Sequence, residues 1–126
     1  IEFHPAVSVE EAQRWYALAT ASLASMKPGA YDYAYPTKIL SSLSAGTPVI
    51  FAGPGQAALD VVEANLGCAV DVDVDAVCDA MVELATLDDS DPRCDRARLH
   101  RWVVDNRSVA VSSVRVADAV LGVANA

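Results

Sequence analysis

Apolar positions along this chain fall into short blocks that alternate between helical spacing and compact runs. Ala12, Trp15, Tyr16 and then Leu18 or Ala19 recur at helical spacing behind Glu10 and Glu11, acids that favour a helix N-terminus. Thr20 to Met26 is a compact run closed by Lys27-Pro28-Gly29, the pattern of a buried parallel strand. Ile39, Leu40 and Leu43 form the next stripe. It begins at Pro36, which needs no backbone donor at a first helical position, and stops at Gly46, a residue suited to a left-handed end, with Pro48 barring continuation. Val49 to Ala52 then reads as a short buried strand, and Ala57 to Asn65 as a helix ended by Asn65-Leu66-Gly67. Cys68 to Val72 predicts another strand, followed by a helix that Asp73 or Asp75 caps and that runs to Leu87. Beyond the loop Asp88-Asp89-Ser90-Asp91-Pro92, one helix shows Leu99, Trp102 and Val103, and a last one shows Val109, Val116, Ala117, Val120 and Leu121. Ile1 to Phe3 reads as a strand end turned by His4-Pro5.

Strands alternating with helices at this spacing imply an α/β fold, a Rossmann-like parallel sheet with helices on both faces, in one domain over residues 1–126. No internal repeat or low-complexity linker marks a boundary. No Gly-x-Gly-x-x-Gly follows a strand, which disfavours ordinary NAD binding, and no Ser, His and Asp set occupies loop positions suited to a hydrolase.

The helix that opens at Pro36 carries the main chemical expectation. Its first N–H groups, at Thr37, Lys38 and Ile39, point back into a loop rich in Tyr and Gly. A helix N-terminus attracts anions, and Lys38 adds a full positive charge. The same pattern also fits a solvated lysine on an ordinary helix. Gly53-Pro54-Gly55-Gln56 allows close backbone approach to a ligand, or is a plain strand-to-helix turn. His4 lies where a ligand-facing or a structural histidine would serve. Asp71, Asp73 and Asp75 alternate with Val, but Ala76 stands where a calcium loop needs Gly and no Glu lies at its twelfth position, so helix capping is the better reading.

The run Pro36-Thr37-Lys38-Ile39-Leu40-Ser41-Ser42-Leu43-Ser44-Ala45-Gly46-Thr47-Pro48-Val49-Ile50 resembles the donor-site segment of GT-B glycosyltransferases, the group that includes glycogen-synthase-like and exopolysaccharide enzymes. Flanking stretches, Ile1 to Tyr16 with Thr20 to Ala24, and Leu59 to Asp71 with the helix after it, resemble the neighbouring units of that fold. The resemblance implies a C-terminal, donor-binding fragment, incomplete at its start, that binds a nucleoside-diphosphate sugar. The parent enzyme would transfer the sugar to a hydroxyl without a metal or other cofactor. The implied donor-site residues are Gly29, Asp32, Tyr33, Tyr35, Thr37, Lys38, Ile39, Ser41, Ser42, Gly53 and Gly55, with Lys38 offsetting charge on the leaving diphosphate. The family usually carries two Glu where this chain has Ser41 and Tyr33. Ser41 or Ser42 would then hold the ribose, and Asp32 stands next to the second position. The acceptor-binding N-terminal domain is the implied missing partner, and this chain alone is expected to bind weakly and turn over nothing. A non-catalytic, doubly wound interaction or regulatory module with a degenerate nucleotide site is the alternative.

Charge and composition narrow the field further. A net charge of −8 argues against nucleic acid, which needs a basic face. Residues 88–126 carry six acids and six bases, with Arg93, Arg96, Arg98, Arg101 and Arg107 close together. The interleaved Asp91, Asp95 and Asp105 read as a solvated face, while contact of the parent enzyme with anionic lipid or a partner domain is the other reading. His100, among these arginines, reads as solvated too. Cys68, Cys78 and Cys94 are odd in number and lack Cys-x-x-Cys spacing, the pattern of reduced cytoplasmic thiols.

Overall fold

At the centre lies β2 (Val49–Ala52), every residue of which is buried. The computed structural model describes residues 1–29 and 33–124. In chain order these form α1 (Val9–Leu18), β1 (Ser22–Ser25), α2 (Thr37–Ser44), β2, α3 (Gln56–Glu63), β3 (Gly67–Val70), α4 (Val74–Ala85), a 3-10 turn (Pro92–Cys94), α5 (Arg96–Arg107) and α6 (Val109–Ala124). The strands make a parallel sheet in the order β1-β2-β3, with Leu23 opposite Ile50 and Ile50 opposite Cys68. This is the expected α/β architecture, a small parallel sheet with helices on both faces.

Side-chain alternation on β2 divides the core. Val49 and Phe51 face one layer, where they meet Ile39 and Leu43 of α2, Ala57 and Val61 of α3, and Leu99 and Val103 of α5. Ile50 faces the other side, where it meets Ala80 and Leu84 of α4. The largest wholly buried side chains of the first layer are Phe51, Ile39, Leu43, Leu66 and Leu99, and Val49 and Val61 are wholly buried too. At roughly 2 kcal/mol for each large apolar side chain removed from water, this layer supplies most of the driving force.

Local signals account for the helix ends. Ser8 accepts from Glu11 N–H at the start of α1, and Asp73 accepts from the N–H groups of Asp75 and Ala76 at the start of α4. Gly46 ends α2 at φ 77°, and a Cβ there would stand 2.7 Å from Arg96 Cβ, so glycine serves both the turn and the close approach of α5.

The arginine run has an internal role that sequence alone did not suggest. Arg96 donates to the carbonyls of Ala17 (2.7 Å) and Ala19 (3.3 Å), at the C-terminus of α1. His100 Nδ1 lies 2.7 Å from the Ser44 carbonyl, at the end of α2, and since a carbonyl only accepts, that nitrogen carries the proton. Arg98 donates to Ala64 O (2.9 Å) and Asn65 O, just past α3. One helix therefore presents three side chains to three helix C-termini, where carbonyls lack intrahelical partners and the dipole favours positive charge. Arg93 forks onto Asp91 and reaches Glu83, joining the 3-10 turn to α4. The solvated-face reading holds for Asp95, Arg96, His100, Arg101 and Asp105, which are exposed, while Arg93, Arg98 and Arg107 are half-buried and tie elements together.

One expected element differs. Ile1 to Phe3 is not a strand, and Ile1 and Phe3 are almost fully exposed. A strand needs a neighbour, and β1 pairs only with β2 among the described residues. The expected last helix forms as α6, and the residues that mark it, Val109, Val116, Val120 and Leu121, are exposed, while Val111 is half-buried. Its main contact is α5, too narrow a surface to cover a full apolar face.

Candidate functional site

Open α/β sheets present ligand crevices at the carboxyl ends of their strands. Here a cavity of about 440 Å³ lies at that end of β1, lined by Leu23, Ala24, Ser25 and Met26 on one side and Ala34 to Lys38 on the other. The first turn of α2 opens onto it. Pro36 is the residue before the helix, one position earlier than the spacing predicts, and provides no side-chain cap. The N–H groups of Thr37 and Lys38 have no partner among the described residues, whereas Ile39 N–H donates to Pro36 O at 3.1 Å. Two amides, rather than the expected three, are thus available to an anion. Lys38 is exposed and takes part in no ion pair among the described residues.

Tyr35, Thr37 and Lys38 are the expected residues that meet in this cavity. Ile39 is wholly buried, and its side chain belongs to the core. Ser41 is half-buried and donates to Thr37 O at 3.2 Å, which leaves its lone pairs for another donor. Ser42 is sealed: fully buried, it donates to Thr47 O at 3.0 Å and tightens the turn after α2. Tyr33 is 86% exposed, and Gly29 is exposed at φ 121°. Asp32 lies outside the described residues.

Gly53 and Gly55 stand apart from this cavity. A Cβ on Gly53 would meet the Met26 carbonyl at 2.8 Å, so this glycine allows the ends of β1 and β2 to approach. It lines a second cavity of about 550 Å³, between α3, β3 and the start of α4, together with Leu59, Val62, Glu63 and Asp71. That cavity is larger, but its walls are apolar and acidic with no cationic side chain, which is unsuited to a phosphate. Gly55, at φ 94°, precedes α3 and accepts from Ala58 N–H at 3.1 Å.

Behind the α2 cavity stands a polar group with no counterpart in the expected set. Asp60 lies on α3 between the buried Ala57 and Val61 and is itself only 8% exposed. Tyr35 Oη donates to its Oδ2 at 3.0 Å, Gln56 Nε2 to its Oδ1 at 2.8 Å, and Arg107 Nε to Oδ2 at 3.0 Å, with a second guanidinium contact completing an ion pair. The Arg107 guanidinium also sits 5.0 Å from the centre of the Tyr35 ring. Burial, and then the negative charge of Asp60, push the Tyr35 phenol well above its ordinary range, so it remains a donor. A legible signal existed: an acid within an apolar helical stripe requires partners, because a buried unpaired carboxylate is expensive.

Among the described residues, no three His, Cys, Asp or Glu side chains gather as metal ligands, and no helix is long and apolar enough to cross a membrane. Comparison of the chain with protein-family models, curated proteins and solved structures gives no match.

Proposed function

We propose that this chain is a donor-binding unit of a GT-B-type glycosyltransferase, holding the diphosphate of a nucleoside-diphosphate sugar at the start of α2. The observation that supports this most is the cavity at the end of β1, into which the unpartnered amides of Thr37 and Lys38 and the Lys38 side chain converge. Each negative phosphate oxygen there gains charge-assisted hydrogen bonds and the favourable end of the helix dipole. In the parent enzyme, the bond from the anomeric carbon to the diphosphate breaks as one to an acceptor hydroxyl oxygen forms. Lys38 then offsets the charge left on the departing diphosphate. Ser41 is the remaining candidate for a ribose hydroxyl. The acceptor and the groups that activate it belong to another domain.

A second reading, a non-catalytic module with a degenerate nucleotide site, draws support from the serines. Ser42 is closed to solvent, and Ser41 replaces the carboxylate that would hold a ribose diol more firmly.

Calorimetric titration of UDP, GDP and ADP separates the two. A donor site gives saturable binding of one of them, weakened about tenfold or more by Lys38→Ala. No heat of binding from any of the three, in this chain or joined to its acceptor domain, leaves only the module.

A further inference from the structure

We infer that Asp60 is a positioning residue for the α2 cavity, acting through Tyr35 to hold the segment that forms one wall and delivers the chain to the first turn of α2. The inference rests on the donor-site reading only for the identity of the ligand.

Ala34 to Pro36 have no regular structure, and the backbone hydrogen bond from this segment runs forward into the same helix, from Ile39 N–H to Pro36 O. Its polar tie to the rest of the molecule, among the described residues, is therefore the Tyr35 phenol. That phenol reaches across to α3, and the carboxylate it meets is held in turn by Gln56 on the same helix and Arg107 at the end of α5. Three elements far apart in sequence thus converge behind the cavity wall. Asp60 is oriented from two further sides before Tyr35 contacts it, so the carboxylate has little freedom to follow the loop. Loss of the phenol hydroxyl frees the wall but leaves the Asp60–Arg107 pair and the core intact.

The test compares Tyr35→Phe and Asp60→Asn with Leu84→Ala, a core change on the opposite face of the sheet. Amide hydrogen exchange is read along the whole chain, and UDP affinity is measured for each variant. Expected in Tyr35→Phe is about tenfold faster exchange at Ile39 to Ser41, with amides of β2 unchanged, and UDP affinity about fivefold weaker. Asp60→Asn should show the same local pattern. Leu84→Ala should lower Tm while leaving affinity and the exchange of residues 39–41 relative to β2 unaltered. Unchanged exchange at residues 39–41 in Tyr35→Phe overturns the inference, as does faster exchange there with undiminished UDP binding. If the unmodified chain binds none of UDP, GDP and ADP, alone or joined to its acceptor domain, the donor reading fails, and the exchange pattern alone decides whether Asp60 positions the wall.

Discussion

The basic side chains of α5 and the lysine of α2 occupy opposite situations. Arg96, Arg98 and His100 each end on carbonyls at the close of another helix, although Arg96 and His100 stay exposed to solvent. Lys38 stands at the opening of a helix, exposed beside a cavity, with no ion-pair partner among the described residues. A cation at a helix C-terminus is favourable, whereas one at an N-terminus opposes the dipole. Lys38 is thus mildly unfavourable to its own helix, a cost an anion in the cavity would reverse. Dense positive charge in a sequence is therefore no guide to a binding face here. The isolated lysine is the better candidate.

Four changes break or sharpen this contrast, the largest first. Gly46→Ala should cost about 2 kcal/mol or more, because alanine is strained at a positive φ and its Cβ would press on Arg96, displacing α5 from α2. Chemical denaturation measures it. Arg98→Ala should cost about 2 kcal/mol by the same measurement, since two carbonyls past α3 lose charge-assisted donors, and UDP affinity should not change. Lys38→Ala should do the reverse: ligand affinity falls while stability stays within about 0.5 kcal/mol, the usual range for an exposed site.

The smallest effect is in acid. Asp91 is held at about 2 by its hydrogen bonds from the Arg93 side chain and backbone, below an ordinary value of 3.8. A lowered carboxylate pKa stabilises the fold above the ordinary value, and that contribution disappears as pH falls from 3.8 toward about 2. Acid titration followed by circular dichroism should therefore show a shallower decline across this window in Asp91→Asn than in the unmodified chain.

Much of the fold was readable because periodicity and punctuation agree. Ile39, Leu43 and Gly46 bound α2, and Asp73 caps α4 as its position suggests. Edges were harder. Ile1 to Phe3 has strand-like residues, but pairing depends on a neighbour, and the valines of α6 suggest burial that only a partner surface could supply. At the site, Pro36 and Lys38 were legible from local chemistry. The partition of the two serines was not, since adjacent hydroxyls on one helix differ only in the direction they face. The place of Asp60 in the apolar stripe of α3 signals that it needs partners, but that Tyr35 and Arg107 supply them is decided by tertiary packing alone.

Two-dimensional amide NMR of the isotopically labelled chain during a UDP titration tests the central claim most directly. If α2 receives a diphosphate, the amide signals of Thr37 and Lys38 should move furthest and saturate together, while those of Arg96 to Arg101 stay in place. Saturating shifts centred on α5 or on the cavity beside β3, with Thr37 and Lys38 unmoved, would contradict it.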